Sequence, residues 1–201
     1  MFFSFDGVDG VGKSTQINLL ADALRERGRE VVACRDPGST ALGESLRKIL
    51  LDHHGTEIHR RSEMLLYMAA RAQLVEEIIR PALAAGKIVI SDRYLLANLV
   101  YQGHAGGLSP DEVRRVGEVA IGGITPRLTF LLDMPAEQAA KRIQRAPDRM
   151  ESQGLGYLES VRQGFLTEAR QRPQEILVLD ANRPPEAIHA DVLKAAEQSL
   201  S

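Results

Sequence analysis

Residues 7–14 read Gly7-Val8-Asp9-Gly10-Val11-Gly12-Lys13-Ser14 and follow directly on the apolar run Phe2 to Phe5. The pattern GxxxxGK[ST] after a strand dictates a tight loop and then a helix start. Glycines let the backbone wrap close to an anion with its N–H groups turned inward, and the helix that follows presents its positive end. Lys13 then reaches the outer two phosphates of a nucleoside triphosphate, and the Ser14 hydroxyl can ligate magnesium. The loop by itself does not choose a reaction, because switches, motors and small-molecule kinases all use it. Asp9 lies inside the loop, where a carboxylate repels a triphosphate unless it faces a hydroxyl of a second substrate. The other reading of Asp9 is a cap on the local turn.

Five short runs rich in strand formers, Phe2 to Phe5, Glu30 to Ala33, Ile88 to Ser91, Leu128 to Leu132 and Ile176 to Leu179, alternate with longer stretches of helical period. That alternation predicts an α/β fold with a mostly parallel sheet covered by helices on both faces. Helices are expected from the Gly12-Lys13-Ser14 step to Arg27, from Ser62 to Leu83, and across Asp111 to Ile121, Ala136 to Arg145, Gly156 to Arg170 and Pro185 to Ser199. The Ser62 to Leu83 stretch carries Leu65, Met68, Ala72, Val75 and Ile79 at helical spacing and is the longest. No repeat or linker divides the 201 residues, so a single domain over 1–201 is expected.

Composition narrows the partners. Lys and Arg total 25 against 27 Asp and Glu, a net charge of −2, so no general field exists to hold a nucleic acid and any phosphate is gripped locally. No stretch approaches the ~20 apolar residues of a spanning helix, and MFFSFDGVDG lacks the charged leader of a secretory signal. A cytoplasmic protein without membrane contact is expected. The single Cys34 rules out an internal disulfide and reads as a small buried hydrophobe. His53, His54 and His59 fall in a polar connection without ligand spacing and read as surface residues.

In a parallel sheet, ligands sit beyond the carboxyl ends of the strands. Two arginines are expected there: Arg35, opening the turn Arg35-Asp36-Pro37-Gly38-Ser39-Thr40, and Arg93, in Ser91-Asp92-Arg93-Tyr94. Converging beside the phosphate loop, they suit a second phosphate. Asp92 is placed to hold the magnesium shell through water. Tyr67 and Arg71 are one helical turn apart among small alanines, a stacking ring beside a cation. A planar base fits that pair, and the alternative is a core tyrosine with an outward arginine.

The loop GVDGVGKSTQ, the turn RDPGST, the helix YMAARAQLVEEIIRPAL, the SDRY strand end followed by YQG, and the later DRME together resemble the bacterial thymidylate kinases nearly from end to end. The resemblance implies a three-layer P-loop NTPase fold with a five-stranded parallel sheet and a short lid at about 142–153. It implies a homodimer that moves a phosphate from ATP to deoxythymidine monophosphate (dTMP) with Mg2+. Carried over by position, Gly7, Val8, Asp9, Gly10, Val11, Gly12, Lys13, Ser14 and Thr15 hold ATP, and Ser14 and Asp92 serve the metal. Asp9 meets the acceptor's 3′-hydroxyl. Arg35, Arg47 and Arg93 hold the acceptor phosphate, with Pro37 in the turn beside them. Tyr67 stacks on thymine, Arg71 bonds its carbonyl, Asn98 and Gln102 read the far edge or the sugar, and Tyr101 with Gln102 favours deoxyribose.

Phosphoryl transfer needs cations around the moving group more than a strong base. Some relatives carry an arginine in the loop where this chain has Gly10, so lid closure is expected to bring Arg149, together with Arg145 or Arg142, onto the phosphates. Lid closure would also exclude water. Two other readings remain at this stage: a kinase for another nucleoside monophosphate or a nucleoside, and a nucleotide switch that performs no transfer.

Overall fold

A computed structural model describes residues 1–52, 57–144, 146 and 148–200. Five parallel strands, β1 (Phe2–Asp6), β2 (Val31–Arg35), β3 (Ile88–Asp92), β4 (Leu128–Asp133) and β5 (Ile176–Asp180), form one sheet in the order β2-β3-β1-β4-β5. The central strand is FFSFD, buried along its whole length, as expected for a strand covered on both faces. Phe3 and Phe5 turn to one face and meet Phe130 at centroid distances of 5.9 and 4.8 Å. That face packs on Leu20 and Leu24 of α1 (Lys13–Glu26) and on Val192 and Ala196 of α9 (Pro185–Leu200). Phe2, Cys34 and Val89 turn to the other face, against Leu74, Val75 and Ile79.

Register then sets the site. Arg35 and Phe5 both pair with Asp92, so β1, β2 and β3 finish level. The backbone crosses straight into the loops from there: Arg93 N–H donates to Phe5 O and Asp36 N–H to Asp92 O. Glycine and aspartate end the strands and keep the loops short.

Three elements differ from the sequence expectation. Helix α2 (Ala41–Leu51) was not anticipated, although Thr40 caps it by accepting from Gly43 N–H at 2.9 Å. The long helix is α3 (Arg60–Leu74), a π turn (Val75–Ile79) and α4 (Arg80–Ala84). The π turn arises where Arg80 N–H reaches back to Val75 O just before Pro81, which has no N–H to donate. The segment after SDRY is α5 (Leu95–Asn98) running into a second π turn (Leu99–His104), for which the sequence carried no expectation of a helix. α6 (Pro110–Ile121) and α8 (Leu155–Gln171) fall close to their expected spans. Helix α7 (Ala136–Lys141) stops short of Arg145, which with His53 and His54 lies outside the described residues.

The second π turn is pinned from behind. Glu168 of α8, almost fully buried, accepts from His104, Arg114 and Arg172 and so ties this turn to α6 and α8. Gly164 permits the approach, since a Cβ there would stand 2.9 Å from Val100. Among the described residues no helix is long and apolar enough to cross a membrane.

Candidate active site

The phosphate loop joins β1 to α1. Gly10 and Gly12 adopt φ of 86° and 94°, left-handed values that favour glycine. A Cβ on Gly10 would lie 2.2 Å from Ala139 O, so α7 closes the space an arginine would need at this position. Lys13 is buried and folds back over its own loop, donating to Gly7 O at 3.2 Å, Val8 O at 3.0 Å and Asp9 Oδ1 at 3.2 Å. Gly10, Gly12, Lys13, Ser14 and Thr15 line one cleft with Arg35, Asp92, Ile143 and Gln144. Gly7 packs against Leu132 O, and the Val8 and Val11 side chains sit in the core, leaving those three only their backbone to offer a ligand.

A second pocket opens beside the first. Pro37, Leu51, Tyr67, Arg71, Ala97, Asn98, Tyr101, Gln102, Asp148 and Met150 line it. Asp9, Asp36, Arg47 and Arg93 belong to both cavities and form their common wall. Asp9 is the hinge of that wall, because its Oδ1 accepts from Lys13 on one side and from Arg93 Nη2, at 2.8 Å, on the other. Burial works against its charge, but Arg93 and Lys13 outweigh burial and hold the carboxyl far below the usual range.

Arg93 has φ of 69° and lies over the Tyr101 ring, 5.0 Å from the centroid, while its Nη2 also donates to Tyr101 Oη at 3.2 Å. Its Nη1 is buried without a protein partner, a donor aimed at nothing the chain itself supplies. Arg47 donates to Pro37 O at 3.0 Å, and burial followed by repulsion from Arg35 lowers its pKa. Arg35 itself is half exposed and pairs with Glu44 at 3.0 Å on the cleft rim. Arg71 is fully buried, with Nε 2.6 Å from Asp36 Oδ2, and Nη1 donates to Met68 Sδ at 3.2 Å. Tyr67 is buried one turn before it.

Two carboxylates complete the strand ends. Asp92, whose Oδ1 is buried without a partner, lines the same cleft as Ser14, and the two residues offer oxygen donors of the kind that suits a hard divalent cation. Asp6 is fully buried with neither oxygen bonded, and burial pushes its pKa up to about 7 even though Arg93 and Lys13 pull it down. Between its ordinary value and 7, the folded chain then holds a proton that the unfolded chain has lost. Stability is therefore expected to fall as pH rises through that window and to level off above it. Asp6→Asn removes this slope. Its unfolding free energy should match the parent near pH 4 and exceed it at pH 8 by up to about 4 kcal/mol; equal stabilities at both pH values in denaturant titrations would show that Asp6 carries no such proton.

The lid arginines stand elsewhere. Arg142 is exposed and donates to Ala181 O at 3.3 Å. Arg149 flanks the second pocket without lining it: Nε donates to Leu50 O at 2.7 Å, Nη2 pairs with Glu63, and Arg149 and Glu63 line a neighbouring cavity. A buried carboxylate on α3 outcompetes solvent for that guanidinium, and nothing in the local DRME pattern signals it. Sequence reasoning missed Asp36 and Asp148, which line the cavities, and Glu63 and Asp6, which stand behind them. Glu63 alone had a usable cue, since it precedes Tyr67 by one helical turn.

A phosphate loop that shares a wall with a pocket built from an aromatic ring, a buried guanidinium and two amides defines a P-loop phosphotransferase with a second, planar-ringed substrate. A family model described as thymidylate kinase matches residues 5–192. A thymidylate kinase of Rhodopirellula baltica is 47% identical over 96% of this chain and 78% of its own length, and that of Kosmotoga olearia is 43% identical over 96% and 94%. The crystal structure of the Ehrlichia chaffeensis thymidylate kinase superposes with a TM-score of 0.79 at 31% identity, covering 98% of each chain. The chain belongs to the thymidylate kinase family.

Proposed function

We propose that this enzyme, which phosphorylates dTMP to dTDP with ATP as donor, does so by direct in-line transfer between two nucleotides held in the adjoining cavities. The wall shared by the two cavities carries the reading: Asp9, Asp36, Arg47 and Arg93 border both, so phosphates entering from opposite sides meet at one place. The acceptor oxygen is already anionic and needs no general base.

Lys13 and the loop N–H groups take the outer phosphates of ATP, displacing the loop carbonyls from the lysine. Ser14 and Asp92 would hold Mg2+, which when bound neutralises charge on the phosphates. Arg93, through its unpartnered Nη1, and Arg47 grip the acceptor phosphate, with Arg35 at the rim. Asp9 receives the 3′-hydroxyl. Tyr67 stacks on the base, Arg71 donates to its carbonyl, Asn98 and Gln102 face its edge, and the Tyr101 ring fills the space a 2′-hydroxyl would need. Arg142 and Arg145 are the lid cations assigned to the moving phosphate on closure. Arg149 is assigned to the base end.

A homodimer fits the exposed apolar side chains on three adjoining helices, Leu42 and Ile49 of α2, Leu65 of α3 and Val119 of α6. A cytoplasmic setting suits the supply of ATP and the free Cys34 thiol.

The test is ADP release across dTMP, dUMP, CMP, AMP and GMP. The highest kcat/KM is expected for dTMP, with purine nucleotides poorest. A purine preference would defeat the assignment of Tyr67, Arg71 and Asn98 to a pyrimidine.

A further inference from the structure

A buried chain of hydrogen bonds starts at Glu63 and ends at the base pocket. Glu63 Oε1 accepts from Gln102 Nε2 at 2.8 Å, and Gln102 Oε1 accepts from Asn98 Nδ2 at 2.6 Å. Asn98 Oδ1 is left buried without a protein partner, on a residue that lines the pocket beside Tyr67 and Arg71. Glu63 Oε2 is held by Arg149, whose Nε is anchored on Leu50 O.

The chemistry fixes the direction of this chain. An amide can turn either way, but a carboxylate in an ion pair only accepts. Gln102 must therefore aim its NH2 at Glu63 and its oxygen at Asn98. Asn98 must answer with its own NH2, so the atom left without a protein partner beside the pocket is an acceptor. Thymine offers a donor, N3–H, on the edge between its carbonyls, whereas cytosine offers an acceptor at N3. Facing an acceptor, thymine gains a hydrogen bond and cytosine meets like against like.

We propose that Glu63 is a positioning residue for base selection: without touching the nucleotide, it sets the polarity of Gln102 and Asn98 and makes the pocket demand a donor at N3. Arg149 holds Glu63 in place, which joins the lid segment to the base end of the site. The inference rests on the assignment of Asn98 to the base edge given above.

The experiment compares kcat/KM for dTMP and dCMP. In Glu63→Gln the first amide is free to turn, and the dTMP:dCMP ratio should fall by about tenfold or more. The loss should appear in KM for dTMP, with KM for ATP unchanged. The exchange Glu63→Gln with Gln102→Glu rebuilds every bond with the carboxylate moved one step along, and it should restore the ratio to within about threefold of the parent. A folded Glu63→Gln that keeps the parent ratio, or a folded exchange variant that fails to restore it, overturns the proposal. Asn98→Ala separates the two levels: if it leaves the ratio intact, the base-edge assignment itself is wrong, whereas if it abolishes the ratio while Glu63→Gln does not, only the relay is wrong. Should neither Glu63 variant fold by circular dichroism, the parent enzyme decides with 3-methyl-dTMP. Binding as tight as that of dTMP overturns the proposal, and loss of binding supports it.

Discussion

Lys13→Ala is expected to lower kcat by about a hundredfold to a thousandfold, the usual cost of removing one preorganised donor from a transition state. Its ammonium is the one cation buried within the loop itself, and the carbonyls it now holds are those it would exchange for phosphate oxygens. The dTMP KM should move little, because Asp9 keeps its 2.8 Å bond to Arg93 when the lysine is gone. Steady-state kinetics with each substrate varied in turn will separate the two constants. A kcat within threefold of the parent would remove Lys13 from the transfer step.

Arg71→Met should cost about 3–5 kcal/mol of stability, the range for breaking a buried pair and stranding its partner. Asp36, whose carboxyl burial already pushes above its ordinary range against the pull of Arg71, is left without its compensating cation, since its side chain has no exposure and its Oδ1 has no other bond. For a chain of this size that loss corresponds to a fall in Tm of roughly 10 °C. Adding Asp36→Asn removes the stranded carboxyl and should recover most of the Tm, yet it should leave dTMP binding weak because the guanidinium proposed to meet the base carbonyl is still missing. Scanning calorimetry and dTMP titration of both variants will show whether stability and binding part company in this way. Recovery of binding along with Tm would mean that Arg71 only supports the fold.

Much of this arrangement could be read from the residues alone. The phosphate loop was legible because its spacing is local: each glycine, the lysine and the serine act within one strand, one turn and one helix start. The three inner strands were legible because both faces of the sheet are covered there, so each appears as a near-continuous apolar run, and the partly exposed edge strands β2 and β5 still read as short runs of strand formers. Tyr67 and Arg71 were paired from helical spacing, and the structure brings both to the second pocket.

What was not legible depends on neighbours distant in sequence. The first π turn ends just before Pro81 and the second packs on α6 and α8, and no local pattern announces either. Arg149 was read with the lid because it lies among other arginines, but its partners Leu50 and Glu63 are supplied by α2 and α3. Helix α2 lacked a clear start because its cap, Thr40, also reads as the last residue of the turn that begins at Arg35. Asp6 looked like the polar end of a strand. Only the packed sheet shows that neither of its oxygens has a partner.

The most direct test of the two-cavity arrangement is a crystal structure with thymidine and adenosine joined through a chain of phosphates. The account predicts thymine against Tyr67 with Arg71 at its carbonyl, Arg93 Nη1 on the thymidine-side phosphate, and Lys13 on the adenosine side of the chain. A linked ligand that enters the loop but leaves Tyr67, Arg71 and Arg93 without contact would contradict it.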